Sequence, residues 1–155
     1  MLIKVFKKLK EKYKDLNLVL AGPPHKFWEQ IKSKELNHGI IFTGFISDKE
    51  MAALYKNALA YIQPSLEEGF GIPILEAMAC SCPVISSNAA SLLEVGGDAA
   101  IYFDPKDEND MAEKIGKVMG SEGLRKELIK KGERRYREFS WEKMAGQTLK
   151  IYTGS

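Results

Sequence analysis

Glu68, Glu76 and the two glycines between them are the part of the sequence best suited to chemistry. Gly69 and Gly71 have no Cβ, so the backbone there can approach a ligand closely. The helical pattern that follows offers unpaired N–H groups and the positive end of a helix dipole, which favours phosphate. Glu68 precedes this loop and Glu76 lies on the helix, where each carboxylate can accept hydrogen bonds from sugar hydroxyls. Each carboxylate taken alone is typical of a solvated surface, but the combination predicts a site for a sugar–phosphate–ribose ligand.

Short apolar runs that alternate with helical patterns predict the frame that positions this loop. The strand runs are residues 17–21, 40–43, 59–63, 83–87 and 99–103. Such alternation is typical of an α/β fold in which helices cover both faces of a mostly parallel sheet. We therefore predict one three-layer α/β/α domain that spans residues 1–155.

Local signals predict where the helices begin. Ser47 with Glu50, and Ser91 with Glu94, have the spacing of a capping box. The other helical signals are residues 2–14, the group Phe27, Trp28 and Ile31, Pro73 in a first turn, the stripe Met111, Ile115 and Val118, the stripe Leu124, Leu128 and Ile129, and Ser140 as the cap of a last helix.

Composition argues against several classes of protein. Basic residues number 23 and acidic residues 21, a net charge of +2, so we expect no nucleic acid partner. Cys80 and Cys82 are too few and too closely spaced for a disulfide framework. Their spacing favours a reduced, cytoplasmic setting. No apolar run reaches the roughly 20 residues of a membrane helix, so this segment does not indicate membrane association, and the alternative is service to a membrane through a partner or a further segment. The lysine-rich residues 2–14 favour an amphipathic helix with a solvated face, with a membrane-surface helix as the alternative.

Ligands of open α/β sheets bind beyond the carboxyl ends of the strands. The segments that would meet there are residues 22–24, 44–47, 65–71 and 86–91. Since His25, His38, Cys80 and Cys82 do not have the spacing of metal ligands, we expect no metal site.

The segment from Glu68 to Ala79 reads Glu-Gly-Phe-Gly-Ile-Pro-Ile-Leu-Glu-Ala-Met-Ala. It resembles the signature of the retaining glycosyltransferases of family 4, whose two glutamates are separated by seven residues, as they are here. The strand at 18–22, the turn at 42–46, the strand at 83–86 and the tripeptide at 139–141 also follow the order of that family. The resemblance covers essentially the whole chain. It implies a Rossmann-like domain, the C-terminal half of a GT-B fold.

The resemblance implies that a nucleotide-sugar donor is the partner of this site and that Glu68 is the catalytic residue that contacts the transferred sugar. Glu76 would bind the ribose hydroxyls, and Ile46 would lie against the base. The remaining donor-binding positions are Gly22, Gly69, Phe70, Gly71 and Ile72, the last three through backbone N–H groups offered to the diphosphate or sugar hydroxyls. The family is metal-independent, so we expect no cofactor, and the helix dipole and cations would stabilise the leaving diphosphate.

Two departures from the family's pattern bear on activity. The family usually has a further strand before this region, an Arg and a Lys that grip the diphosphate, and an acceptor-binding domain, and we expect this chain to lack them. The chain alone is therefore expected to be inactive. Ser81 stands where the family commonly has Gly, and we expect it to adopt a positive φ at the helix end. The alternative is a non-catalytic nucleotide-binding or interaction module of the same fold, whereas a nucleotide-sugar epimerase would leave the two glutamates unexplained.

The further strand that the resemblance implies before this region predicts a sheet with an empty position. In the Rossmann order 3-2-1-4-5-6, the five strands correspond to the second to the sixth, and the missing first strand is central. Because open strand edges favour pairing, we predict that residues 17–21 pair directly with residues 59–63. The alternatives are a strand supplied by another chain and a local gap.

Overall fold

The computed structural model of the protein describes residues 1–23 and 39–154. Its strands are β1 (Leu18–Ala21), β2 (Ile40–Gly44), β3 (Tyr61–Gln63), β4 (Val84–Ser87) and β5 (Ala100–Phe103). Its helices are α1 (Leu2–Lys12), α2 (Asp48–Asn57), α3 (Ile72–Ala79), α4 (Ala90–Gly96), α5 (Glu108–Gly120), α6 (Glu122–Arg135) and α7 (Trp141–Thr153), with 3-10 turns at Gly97–Ala99 and Tyr136–Glu138. The predicted helix around Phe27, Trp28 and Ile31, together with His25 and His38, lies outside the described residues.

The strands form two parallel sheets. β1 pairs with β2, where Val19 lies opposite Ile41. β4 lies between β3 and β5, and Ile85 is opposite both Ile62 and Ile101. Within the described residues β1 and β3 belong to different sheets, so the predicted pairing of residues 17–21 with residues 59–63 is wrong.

The packing of α1 explains why the two sheets stay apart. Val5 of α1 is completely buried and lies in one cluster with Ile85 of β4 and Met111 of α5. Direct pairing of β1 with β3 would require α1 to move out of this cluster, and burying a large apolar side chain is worth about 1.5–3 kcal/mol. Water can satisfy the open strand edges instead, and each ladder hydrogen bond forgone is worth only about 1 kcal/mol net.

Helices cover both faces of the three-stranded sheet, which confirms the predicted α/β/α layers. On one face α2, α3 and α4 pack over Val84, and their buried residues include Tyr55, Ile74 and Leu92. On the other face α1, α5 and α6 pack over Ile85, the next residue along β4. Consecutive strand residues point to opposite faces, so both must be apolar where both faces are covered.

Most of the predicted helix signals are confirmed. Ser47 accepts a hydrogen bond from the Glu50 N–H at 3.4 Å, and the Glu50 carboxylate accepts one from the Ser47 N–H at 2.8 Å. Ser140 caps α7, and Pro73 lies in the first turn of α3. The predicted box at Ser91 is wrong, because α4 is capped by Ala89 without a side-chain hydrogen bond.

The end of α3 has the backbone that the sequence predicted. Ser81 has a φ of 57°. Its N–H donates to the Met78 carbonyl at 3.1 Å, and the Cys82 N–H donates to the Ala77 carbonyl at 2.9 Å. These two bonds form a Schellman motif, which satisfies carbonyls that the helix end would otherwise leave unpaired.

Candidate functional site

The loop between β3 and α3 carries the first glutamate and both glycines of the motif. Gly71 is the N-cap of α3 and has a φ of 99°, a backbone conformation that favours glycine. A Cβ at this position would lie 2.6 Å from the Cδ2 methyl of the buried Leu92. Gly71 is therefore required both by its backbone conformation and by its contact with α4. A Cβ at Gly69 would meet no atom within 4 Å, so that glycine faces open space.

The Glu68 carboxylate is held by side chains on its inner side. Its Oε2 atom accepts hydrogen bonds from Gln63 Nε2 at 3.2 Å and from Ser65 Oγ at 3.3 Å, and its Oε1 atom accepts one from the Gly69 N–H at 3.2 Å. Glu68 is half-buried. Two oxygens provide about four acceptor sites, so a carboxylate with three partners retains capacity for a ligand hydroxyl.

The start of α3 presents backbone donors. Among the residues that the structure describes, none accepts a hydrogen bond from the N–H groups of Phe70, Gly71 or Ile72. Phe70 and Ile72 are exposed, at 46% and 48%. N–H groups at a helix start, with the positive end of the helix dipole, favour an anion such as phosphate.

Glu76 lies one turn further along α3 and is exposed. The Tyr55 hydroxyl of α2 donates a hydrogen bond to its Oε2 atom at 3.5 Å. Burial, followed by the nearby Tyr61 and Glu76, raises the pKa of Tyr55, so this phenol remains a donor at neutral pH. The motif therefore places Glu68 before the start of α3, beside the amide of Gln63, and Glu76 after it, beside the hydroxyl of Tyr55.

Gly22 and Ile46 lie at the ends of the other sheet. The Gly22 N–H donates to the Gly44 carbonyl at 3.2 Å, which holds the ends of β1 and β2 together. Ile46 is half-buried and precedes the N-cap of α2, beside Phe45, which is 83% exposed. In the described part of the chain no hydrogen bond joins Gly22 or Ile46 to residues 68–76, so the structure brings the loop and α3 together but does not connect them directly to these two positions.

The predicted meeting of segments 65–71 and 86–91 is confirmed by two hydrogen bonds, but sequence reasoning missed Gln63 and did not assign bracing roles to the serines. Ser87 Oγ donates to the Ser65 carbonyl at 2.6 Å, and Ser91 Oγ donates to the Glu68 carbonyl at 2.6 Å. Gln63 is buried beneath Glu68. One signal was available, because Gln63 and Ser87 are polar residues at the carboxyl ends of β3 and β4, where ligand sites of α/β sheets form.

Phe70 connects the loop to the segment that leads into α7. Its ring lies 5.9 Å from the ring of Phe139 in an edge-to-face arrangement. The Arg135 guanidinium lies 4.9 Å from the centre of the Phe139 ring and donates to the Val95 carbonyl of α4 at 3.0 Å. The loop is thus fixed from α4, through Ser91, and from the C-terminal segment, through Phe139.

The described ranges 1–23 and 39–154 contain no cluster of three or more His, Cys, Asp or Glu side chains that could hold a metal ion. They also contain no helix that is long and apolar enough to cross a membrane. Burial raises the pKa of the Cys82 thiol to about 12, as expected for a core residue.

The sequence matches the family model of glycosyl transferases group 1 over residues 1–135. The chain belongs to this family. It is 36% identical over 141 residues to the O-antigen chain mannosyltransferase B of Escherichia coli, a match that covers 87% of the chain and 36% of that relative. It is 34% identical over 135 residues to the MMP alpha-(1->4)-mannosyltransferase of Mycolicibacterium hassiacum, with 84% of the chain and 32% of that relative covered. The chain thus spans about a third of the length of these two group 1 relatives.

Solved structures agree with this assignment. The C-terminal domain of a glycosyl transferase group 1 family protein (LpcC) from Francisella tularensis matches with a TM-score of 0.74 and 29% identity, over 84% of this chain and 73% of that one. A glycosyltransferase from Rickettsia africae matches with a TM-score of 0.85 and 24% identity, over 98% of this chain and 42% of that one, which is a likeness of fold. The chain is therefore a group 1 domain with the fold of the C-terminal domain of GT-B enzymes.

Proposed function

We propose that this group 1 domain binds the nucleotide sugar for a retaining hexosyltransferase that transfers the sugar to an acceptor. The observation that carries the proposal is the braced Glu68 carboxylate beside the N–H groups at the start of α3. An anion-binding helix start next to a hydroxyl acceptor suits the two parts of a sugar diphosphate. Mannose is the first sugar to test, because the two curated relatives described above are named mannosyltransferases.

Each part of the site has a role in this proposal. Glu68 accepts hydrogen bonds from the transferred sugar, and Glu76 accepts them from the ribose. The N–H groups of Phe70 and of its two successors bind the diphosphate and stabilise the charge that develops as it leaves. Ile46 packs against the base. Gly22 and Gly69 leave room for the donor because they have no side chain.

The domain organisation is part of the same proposal. Since the chain spans about a third of its relatives, we propose that residues 1–155 form the donor-binding domain of a longer enzyme, which also contains an acceptor-binding domain. This chain would then bind the donor but not the acceptor. Transfer needs both reactants held in a reactive geometry.

Titration of the 155-residue chain with UDP, GDP and ADP, and with their sugar conjugates including GDP-mannose, tests donor binding by NMR chemical shifts. We expect shifts at residues 68–76 and an affinity on the order of millimolar, about −4 kcal/mol. Glu76→Gln should weaken the binding of every nucleotide. Glu113→Gln, which changes an exposed carboxylate on α5, should leave the binding of each nucleotide unchanged. Shifts confined to the opposite edge of the sheet would contradict the site.

Incubation of the purified chain with each nucleotide sugar and a panel of sugar and lipid acceptors tests whether transfer needs a separate acceptor-binding domain. We expect no glycoside by mass spectrometry, because the second reactant is not held. Formation of a glycoside by this chain without a partner would contradict the proposed need for a separate acceptor domain.

A further inference from the structure

Gln63 is a buried amide directly beneath the loop. It is the last residue of β3 and only 8% exposed. Residues two apart on a strand share a face, so Gln63 and Tyr61 point towards α2 and α3, while Ile62 points into the opposite cluster. A buried amide is destabilising unless its polar atoms are paired, so its partners determine what it does.

Every polar atom of the Gln63 amide has a partner. Nε2 donates to Ser65 Oγ at 2.7 Å and to Glu68 Oε2 at 3.2 Å, which uses both of its hydrogens. Oε1 accepts a hydrogen bond from the Tyr61 hydroxyl.

Chemistry alone fixes the orientation of this amide. An ionised carboxylate only accepts hydrogen bonds, so the NH₂ group must face Glu68 and the carbonyl must face Tyr61. The Tyr61 hydroxyl must then be the donor in its bond to Gln63. Burial, followed by the charges of Glu76 and Glu68, raises the pKa of Tyr61 and keeps this donor protonated.

We propose that Gln63 is the positioning residue for Glu68: it holds the carboxylate against the inner side of the loop, so that the remaining acceptor site faces the donor sugar. This inference rests on the proposed role of Glu68. Ser65 also contacts the carboxylate, but it is half-exposed, and water can replace its hydroxyl. Water has no such access to Gln63. The preference for a nucleotide sugar over the free nucleotide therefore depends on Gln63, whereas affinity for the nucleotide does not.

The test measures the dissociation constants of GDP and GDP-mannose, or of the best pair from the titrations above, for the 155-residue chain and its variants. Gln63→Met keeps the length of the side chain and removes the amide, and Gln147→Met on the exposed α7 is the matched control. We expect Gln63→Met to lower the preference for the sugar conjugate by about five- to tenfold and to change the affinity for GDP by less than about twofold. The double variant Gln63→Met/Glu68→Gln should lose no more preference than Glu68→Gln alone.

A second measurement does not depend on the ligand. In the free protein the side-chain NH₂ signals of Gln63 should exchange slowly and should shift on Glu68→Gln, while those of Gln147 should not. Three results would each overturn the inference: an unchanged sugar preference in Gln63→Met, an equal loss of affinity for GDP and GDP-mannose in that variant, or Gln63 NH₂ signals that do not shift on Glu68→Gln. If the wild-type chain does not distinguish GDP-mannose from GDP, the proposed contact of Glu68 with the sugar fails, and the NH₂ signals still report whether Gln63 holds the carboxylate.

Discussion

The Ser91 hydroxyl donates a hydrogen bond of 2.6 Å to the backbone carbonyl of Glu68, and this bond ties the start of α4 to the loop that carries the first glutamate. The bond spans 23 positions of sequence, so it fixes the loop through tertiary structure. A loop that is held in place binds its ligand without the entropy loss of ordering it at that moment.

Ser91→Ala should therefore lower both stability and donor affinity. Loss of the hydrogen bond should reduce the free energy of unfolding by about 1 kcal/mol. Ser121→Ala is the control, because Ser121 caps α6 by accepting from the Leu124 N–H at 3.2 Å, and loss of a cap also costs about 1 kcal/mol. Urea unfolding should show similar losses for both variants, whereas nucleotide titration should show weaker binding only for Ser91→Ala. Equal affinities in the two variants would contradict the bracing role of Ser91.

The two glycines of the loop should respond differently to the same substitution. Gly71→Ala places a Cβ on a backbone with a φ of 99° and 2.6 Å from the Leu92 methyl, so it should lower the free energy of unfolding by about 1–2 kcal/mol or more. Gly69→Ala meets no atom within 4 Å, and its stability should stay within about 0.5 kcal/mol of the wild type. Denaturant unfolding measures both, and equal losses would show that the loop is not fixed against α4 as described.

Signals that depend on neighbouring residues were sufficient to predict much of the fold. The capping box at Ser47 needs only Glu50, three positions away, and the positive φ at Ser81 follows from its place just beyond a helix end. The glycine loop before α3 is likewise local in sequence. These features are confirmed because no distant residue competes for the same atoms.

The rest depends on residues that are distant in sequence. Ser91 has the same spacing to a glutamate as Ser47, but its hydroxyl is engaged by the Glu68 carbonyl and does not cap α4. The role of Gln63 becomes visible only when the loop folds back over β3. Pairing of β1 with β3 was predicted from the open strand edges and from the entropy that association with another chain would lose, although it requires the helix at 2–14 to shift. How tightly that helix is packed depends on residues distant in sequence, because Val5 lies in one cluster with Ile85 and Met111.

Ser81→Gly should stabilise the domain. The left-handed conformation costs a residue with a Cβ about 1–2 kcal/mol, and the greater freedom of glycine in the unfolded chain offsets part of this, which leaves a gain of about 0.5–1 kcal/mol. Thermal and urea unfolding measure the gain. The substitution also removes an exposed hydrogen bond from Ser81 to Glu133, so Glu133→Ala, which removes the bond alone, is the control and should change little. A loss of stability in Ser81→Gly would show that the hydrogen bond outweighs the backbone.

Cys82 should be inert in the folded protein. The thiol is 2% exposed, and burial raises its pKa to about 12. A raised pKa favours the protonated thiol in the folded state, so this contribution to stability is complete below about pH 9 and is lost as the pH rises towards 12. In Cys80→Ser, labelling by a thiol reagent at pH 8 should proceed only as fast as the protein unfolds. In Cys82→Ser, the half-exposed Cys80 should react directly, and equal labelling rates in the two variants would contradict the burial of Cys82.

The open edges of β1 and β3 predict a specific pattern of amide hydrogen exchange. The Leu18 N–H donates to the Gly39 carbonyl at 2.9 Å, and the Tyr61 N–H donates to the Pro83 carbonyl at 2.8 Å. Because successive N–H groups of a strand point to opposite edges, those of Val19 and Ile62 face away from β2 and β4, and no described residue accepts from them.

Val19 and Ile62 should therefore exchange much faster than Leu18 and Tyr61, their immediate neighbours, when exchange is followed by NMR in native buffer. Val19 and Leu18 lie within one strand, as do Ile62 and Tyr61. A general opening of the strand would accelerate the exchange of both members of a pair equally, so the ratio of their exchange rates distinguishes it from an open edge. Ile85, in the strand that pairs on both sides, should be the slowest of the five. Equal protection of Val19 and Leu18 would mean that a further strand covers the edge, and if that protection falls on dilution, the strand comes from a second copy of the chain.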